Sequence, residues 1–454
     1  MNTDATTAYP RPAYAWYVVV VLLLAYILSF IDRDVLSLLV GEIKRELALS
    51  EVQIGTLLGV PFALFYATCG IFIAWLADRG RRTLVIFTGV VLWSLATVCC
   101  ALADSYWGLF TARIGVAVGE AALTPPVLSL LKDYFPPDRV GRAIGLYTAG
   151  VSGGGGIANI IGGSLYPALI AGGATTLPLI GTLDPWQLMF VVVGLPGLIV
   201  ALLILTIREP VRRDRLTGTA GTAAPPSSVW ATLRFVGQRW RSHVVLFIGL
   251  SSIAIMAYGV NYWVPEFLRR SFSLSDADYG YYIRWRGLLL IVFGLIGVVG
   301  GGWLCDVLRK RHADGYLRVV LIGLGFLIVG YTLLPLMPTP TLAVLMVIPA
   351  TLGGAIPTAA GAAAVMAIAP STMRAQIIAL YYFTLNLIGF AVGPNAVAAL
   401  TQYVFRDDLK LNYSLAIVAF TAATIGIALC LHCRAHYRRC IAEADGWQSA
   451  SPAS

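Results

Sequence analysis

The chain has 454 residues, of which 58% are hydrophobic and only 12% charged, with a mean hydropathy of +0.79. That composition excludes a water-soluble globular domain and a disordered chain, and describes a polypeptide whose solvent is lipid. The net charge of +9 does not point to nucleic acid, because the basic residues alternate between loops and form no basic-aromatic stripe.

A membrane span needs about 20 predominantly apolar residues, and twelve such segments are predicted, centred near 27, 64, 93, 118, 155, 196, 255, 291, 327, 354, 387 and 420. The first, Tyr14 to Gly41, is too long for a signal-peptide core and lacks a small-residue cleavage site, so it reads as a retained helix. With the N-terminus inside, Arg79, Arg81 and Arg82, then Lys132, Arg139 and Arg142, fall on the cytoplasmic side. The arginines from Arg208 to Arg241 follow, then Arg309, Lys310, Arg311, Arg318 and Arg374, and finally Arg434, Arg438 and Arg439. Only Lys44, Arg45, Arg269, Arg270, Arg406 and Lys410 fall outside. Basic residues in short loops stay in the cytoplasm, so both termini are expected there, in a multi-pass protein of the inner (plasma) membrane.

Helix one contains "SFIDRDVLSLL", three charges within hydrocarbon. At about 1.5 Å per residue, Asp32 lies about 13 Å below the outer end of helix one, and Arg113 about 10 Å below the outer start of helix four. An Asp32–Arg113 pair is expected from those depths. Glu120 keeps to the same face of helix four about two turns further on, near midplane. A carboxylate there, with no basic residue beside it in sequence, is disfavoured as an anion, which is what a proton carrier requires. None of the four histidines lies deep in a span, so Asp32 and Glu120 are the candidates for proton coupling. Arg33 and Arg113 are candidate ligands of an anionic substrate, and Arg33, about 100° round the helix from Asp32, reaches either Glu120 or that ligand. Asp34 stays open between snorkelling, a loop partner and function. A static salt-bridge network that fixes helix packing is the competing account of all these charges.

The run Gly153 to Gly156 in helix five is expected to permit close helix packing. Between Arg208 and Arg241 the hydrophobicity collapses, which separates an N-terminal six-helix bundle (1–208) from a C-terminal one (242–433). The cytoplasmic linker (209–241) carries an amphipathic helix predicted from Val229 to Trp240, and residues 434–454 form a cytoplasmic tail. In helices seven and eleven, Tyr258, Asn261, Tyr262, Tyr381 and Asn386 are candidate substrate contacts, although Trp and Tyr also concentrate at membrane interfaces. Arg284 and Arg286 with Glu266 are expected to form an outer gate. The seven cysteines occupy spans or the tail, where no disulfide is expected. Cys430, Cys433, His432 and His436 fit no closed zinc spacing, so neither metal nor cofactor is expected. No nucleotide-binding motif or nucleophile-base constellation is present, and no enzymatic chemistry is predicted.

The halves resemble each other when slid by roughly 230 positions. Trp75-Leu76-Ala77-Asp78 recurs as Trp303-Leu304-Cys305-Asp306, Pro125 finds Pro357, and Leu146-Tyr147 finds Leu380-Tyr381. Parallel six-helix repeats are a transporter architecture. Asp78 and Asp306 fall at predicted helix C-terminal ends, where a carboxylate meets an unfavourable dipole and needs a basic partner.

With "WLADRGRR" (Trp75 to Arg82) between helices two and three, the chain resembles the major facilitator superfamily. Ala74 stands where that family usually has glycine, and the basic run is one residue shorter. The resemblance implies that Asp78, Arg79, Arg82 and Asp306 latch a cytoplasmic gate, in an all-α protein of twelve membrane helices. "FIDRDVLSLLV" and "ARIGVAVGEAALTPPVLSLLKDYFP" resemble the spinster family of lipid transporters, through Asp32-Arg33 and through Arg113 with Gly119-Glu120-Ala121. That resemblance implies a monomeric, proton-coupled secondary transporter working by alternating access. Its implied cargo is an amphipathic lipid such as a sphingoid phosphate or lysophospholipid. A proton-coupled organic-anion symporter, or an uncoupled lipid scramblase or sensor, are the alternatives.

Overall fold

The computed structural model describes residues 9–178, 181–212, 228–370 and 372–449. Among them are 12 helices long and apolar enough to span a membrane, one for each predicted segment. They are α1 (Pro12–Leu38), α2 (Glu51–Arg79), α3 (Arg82–Cys100), α4 (Tyr106–Tyr134), α5 (Pro137–Gly172) and α6 (Pro185–Leu205), then α7 (His243–Phe272), α8 (Asp276–Arg311), α9 (Gly315–Leu336), α10 (Pro340–Ala367), α11 (Arg374–Phe405) and α12 (Asp408–Ala444). A hairpin absent from the sequence reading joins α5 to α6: β1 (Thr175–Leu177) pairs antiparallel with β2 (Gly181–Leu183), Thr176 opposite Thr182. Three-residue strands leave no readable alternation. The linker helix forms over Val229–Gln238, while residues 213–227 of the predicted linker lie outside the described residues.

The chain divides into two compact units, Met1–Gly221 with Leu274–Ile291, and Thr222–Ser273 with Val292–Ser454. The first part of α8, Leu274–Ile291, clusters with the first unit. Glycines explain the close approach. A Cβ on Gly156 of α5 would lie 2.7 Å from the Gly287 oxygen of α8, and one on Gly163 would lie 2.7 Å from the Gly280 oxygen. The same stretch of α5 receives α1, since a Cβ on Gly154 would lie 2.7 Å from Phe30 Cβ.

Three of the described spans contain a π-helical turn. In α2, residues Phe62–Tyr66 form a π-helical turn directly after Pro61, whose missing N–H leaves the Leu57 carbonyl without its ladder partner. Within the second unit, π turns occupy Ile255–Val260 of α7 and Leu400–Phe405 of α11. There α7 and α11 meet at Gly259 and Gly393, where a Cβ on Gly259 would lie 2.6 Å from the Gly393 backbone.

The predicted tail is a continuation of the last helix, which runs from Leu411 to Ser449. Arg434 and Arg438, one turn apart, both reach Asp314 just ahead of α9. Those contacts anchor the extension beyond Cys433.

Candidate functional site

Asp32, Arg33 and Asp34 are consecutive on α1 and so point in three directions, about 100° apart. All three are buried, at 1%, 7% and 7% exposure. Arg33 crosses to α4 and forms an ion pair with Glu120. Its guanidinium lies over three rings, Phe30 at 5.2 Å, Phe62 at 4.7 Å and Tyr66 at 5.4 Å. The π turn after Pro61 presents Phe62 and Tyr66 together, so the winding change in α2 builds part of the cage. A cation over an aromatic face gains about 0.5–2 kcal/mol, the larger values when desolvated.

Arg113 also reaches α1, but its Nη1 donates to the main-chain carbonyl of Asp32 at 3.1 Å. No ion pair joins the two side chains among the described residues, which corrects the expected Asp32–Arg113 pair. Depth counting matched their heights, yet the guanidinium rests on the Phe62 ring at 5.0 Å and meets the helix backbone, not the carboxylate. Asp32 Oδ1, Arg113 Nε and Nη2, and Glu120 Oε1 are buried polar atoms without a hydrogen-bond partner. Such atoms cost about 1–3 kcal/mol each when left unmet.

Asp34 turns toward α5, where a Cβ on Gly155 would lie 3.3 Å from its Oδ2. Arg286 and Arg33 are the cations whose charges act most strongly on it, and Arg286 donates to Asn159 Oδ1 of α5. Asp34 thus belongs to a buried polar layer and neither snorkels nor meets a loop. Asn159, 2% exposed between the glycine runs 153–156 and 162–163 of α5, was the available signal for this layer. The expected outer gate divides: Arg284 donates to the Gly163 carbonyl at 3.0 Å, whereas Glu266 pairs with Arg270 at 2.5 Å, one turn along α7.

In the second unit, the Tyr258 hydroxyl donates to Asn386 Oδ1 at 3.5 Å, and the Tyr258 ring stacks on Phe390 at 3.7 Å. Tyr262 lies 6.1 Å from Tyr258 along α7. Asn261 faces α9, accepting from the Tyr331 hydroxyl at 3.3 Å. Tyr381 packs against Phe247 at 5.8 Å, with its hydroxyl 3.0 Å from where a Cβ on Gly361 would stand. Of the five predicted contacts, Tyr258 adjoins both Tyr262 and Asn386.

Around the "WLADRGRR" loop, Arg82 is 2% exposed. It pairs with Asp133 at 2.5 Å and with Glu209 at 2.7 Å, and also donates to Ser129 Oγ at 3.0 Å. Glu209 in turn accepts from the Thr83 N–H at 2.9 Å. The end of α2 is capped by Arg212, which donates to the carbonyls of Ala77 at 2.6 Å, of Gly80 at 2.7 Å and of Asp78. Asp78 makes no ion pair through its carboxylate among the described residues; the dipole at this helix end is met by a cation on the carbonyls. Arg79 lies over Trp75 at 3.9 Å. In the second half, α8 continues to Arg311, so Asp306 is inside the helix and not at its end. The acceptor that collects arginines there is Asp314, bonded by Arg318 at 3.2 Å, Arg438 at 3.0 Å and Arg434. Burial opposes its ionisation, but the hydrogen bonds and charges of Arg434 and Arg438 hold its carboxyl down at about 2.

Comparison with known proteins places this geometry. The Major Facilitator Superfamily model matches residues 22–394. A bacterial homolog of the human lysosomal transporter spinster, solved in an inward-facing conformation, is 28% identical, with a TM-score of 0.73 and coverage of 98% of this chain and 100% of that one. An MFS-type efflux pump of Mycolicibacterium smegmatis is 27% identical over 435 residues, 95% of each chain. A probable L-galactonate transporter of Escherichia coli is 26% identical over 64% of this chain and 61% of its own length, less than two thirds of that protein. The chain, with its twelve spans, its motif loop after α2 and its charged α1 and α4, belongs to the Major Facilitator Superfamily.

Proposed function

We propose that this transporter is proton-coupled and moves an amphipathic lipid with an anionic headgroup by alternating access, from an inner membrane in which both termini are cytoplasmic. The observation that carries the reading is the Arg33–Glu120 pair held inside a cage of Phe30, Phe62 and Tyr66. A proton taken up by Glu120 removes the negative partner of Arg33. The buried cation, with one negative charge fewer beside it, then gains from an incoming phosphate, to which a guanidinium donates in a planar fork. Deprotonation of Glu120 restores the pair and expels the headgroup. Arg113, with two donor atoms lacking partners, adds a second cation, and Asp32 a carboxylate oxygen able to receive a proton.

The chemistry of the chain divides as an amphipathic cargo would require. Deep carboxylates and arginines concentrate in α1 and α4, while α7 and α11 offer Tyr258, Tyr262, Phe390 and Asn386 with no deep carboxylate. The likeness to the bacterial spinster homolog over nearly the whole chain supports the spinster resemblance from which the lipid cargo is inferred. In this reading the loop arginine Arg82, with Asp133 and Glu209, and the Asp314 cluster are the cytoplasmic latches.

A second reading, a proton-coupled organic-anion symporter, is favoured by the similarity to a protein named as a galactonate transporter. A thermal-shift panel separates the two, because a ligand at about 100 times its dissociation constant stabilises by roughly 2.7 kcal/mol. Lysolipids and sphingoid phosphates are expected to raise the melting temperature at concentrations where sugar acids do not. The opposite ranking transfers the assignment to the symporter.

A further inference from the structure

The corner where the linker helix meets the extension of α12 holds a pocket lined by none of the residues assigned to transport above. It lies wholly in the second unit, has a volume of about 310 Å³, and is lined by Arg239, Trp240, Arg241, His436, Arg439 and Glu443 among others. Glu443 already accepts from Arg239 at 3.1 Å. Arg241 and Arg439 make no ion pair among the described residues, so the pocket carries an excess of positive charge. His436 adds a buried Nδ1 with no hydrogen-bond partner. The walls are tied together: Ser242 Oγ bonds the Arg239 carbonyl at 2.9 Å and lies 3.4 Å from Cys440 Sγ.

The linker helix beside it has the profile of an element lying in a membrane surface. Thr232 and Val236 are buried against the protein, and Thr232 bonds Gln376 of α11. Trp230, exposed at 80%, points away from that face, Val229 and Leu233 are exposed on the flank beside it, and Trp240 follows at 51%. Apolar and Trp side chains on the outward face of a basic surface helix sit at headgroup depth. A cationic pocket opening beside such a helix matches the phosphate of a lipid better than a solute.

We propose that this pocket binds the phosphate headgroup of an anionic membrane lipid, with Arg439 and Arg241, whose guanidinium lies over the Trp240 ring at 5.5 Å, as its cations, and Trp230 and Trp240 resting at the level of the headgroups and upper acyl chains. The site shares no residue with the Arg33–Glu120 centre and stands whether or not the cargo is a lipid.

The test is thermal unfolding of the full chain in neutral detergent, titrated with phosphatidylglycerol or phosphatidylcholine. Phosphatidylglycerol is expected to raise the melting temperature of the wild type and phosphatidylcholine not. Arg241→Gln with Arg439→Gln is expected to weaken the apparent phosphatidylglycerol affinity roughly 30-fold, at about one surface arginine's contribution each. Glu443→Gln, which removes the negative charge from the pocket, is expected to strengthen it, so the claim does not depend on the double variant folding. Equal shifts from the two lipids, or affinities unchanged in these variants, would overturn the proposal. Inorganic phosphate that reproduces the phosphatidylglycerol shift overturns the lipid assignment and identifies a solute site.

Discussion

Replacing Glu120 by Gln removes the negative member of the buried pair while preserving its volume. Two unit charges about 4 Å apart at an effective dielectric of about 20 attract by roughly 4 kcal/mol, and removing one member of a buried pair costs about 3–5 kcal/mol. Arg33 keeps its three ring faces, each contributing about 0.5–2 kcal/mol, so the variant is expected to fold with a lowered melting temperature. Arg33→Gln combined with Glu120→Gln removes both members of the pair and is expected to be more stable than Glu120→Gln alone. In function, Gln imitates the protonated carboxyl permanently. Glu120→Gln is therefore expected to bind an anionic ligand more tightly, by about tenfold for every 1.4 kcal/mol of attraction released. It is also expected to lose accumulation driven by a pH gradient in proteoliposomes while retaining exchange of ligand across the bilayer. Uphill accumulation by Glu120→Gln would refute the reasoning, as would a double variant no more stable than the single one.

Arg82→Ala leaves Asp133 and Glu209 without their cation and is expected to cost about 3–5 kcal/mol in detergent unfolding. Arg81→Ala, at an exposed neighbour, should stay within about 0.5 kcal/mol; equal effects would show that the buried pairing does not matter. Gly154→Ala drives a methyl to 2.7 Å from Phe30 Cβ and is expected to cost about 1–3 kcal/mol by overpacking. Its neighbour Gly153 has nothing within 4 Å, so Gly153→Ala should be neutral or slightly stabilising, as read by the same melts. Asp314 is held at about 2 against about 3.9 unfolded. Its stabilisation is complete above about pH 4 and disappears as pH falls toward about 2. Asp314→Asn is expected to flatten the melting profile in that acid window, and an unchanged profile would remove Asp314 from the latch.

The twelve spans were legible because a run of about 20 apolar residues is the strongest signal a sequence carries. The charged residues of α1 and α4 were legible for a related reason: each is conspicuous in hydrocarbon, and counting 1.5 Å per residue gives its depth. Depth does not give azimuth. Asp32 and Arg113 are level, but the direction in which each leaves its helix depends on how α1, α2 and α4 pack, and the π turn after Pro61 sets the position of the Phe62 ring beneath Arg113. Arg33, already known to point away from Asp32, had Glu120 as one of two partners, and the structure supplies it. The loop after α2 shows the opposite limit. Its motif marked Arg82, but Asp133 and Glu209 lie 51 and 127 positions away, and no local pattern links them. Arg212 was visible only as one of several linker arginines, and its use as a cap on three carbonyls follows from where α6 ends. The helical course of residues after Cys433 went unread because a stretch rich in arginine suggests solvent until Asp314 is found to receive two of its side chains.

The central claim, that a proton on Glu120 opens its pair with Arg33 for an anionic ligand, is tested most directly by the protons exchanged when ligand binds. Purified protein in weakly buffered solution, mixed with saturating lysophospholipid or sphingoid phosphate and followed with a pH electrode, is expected to take up protons in proportion to the ligand bound. Glu120→Gln is expected to bind the same ligand with no uptake. Binding by the wild type without proton uptake, or equal uptake by Glu120→Gln, would contradict the account.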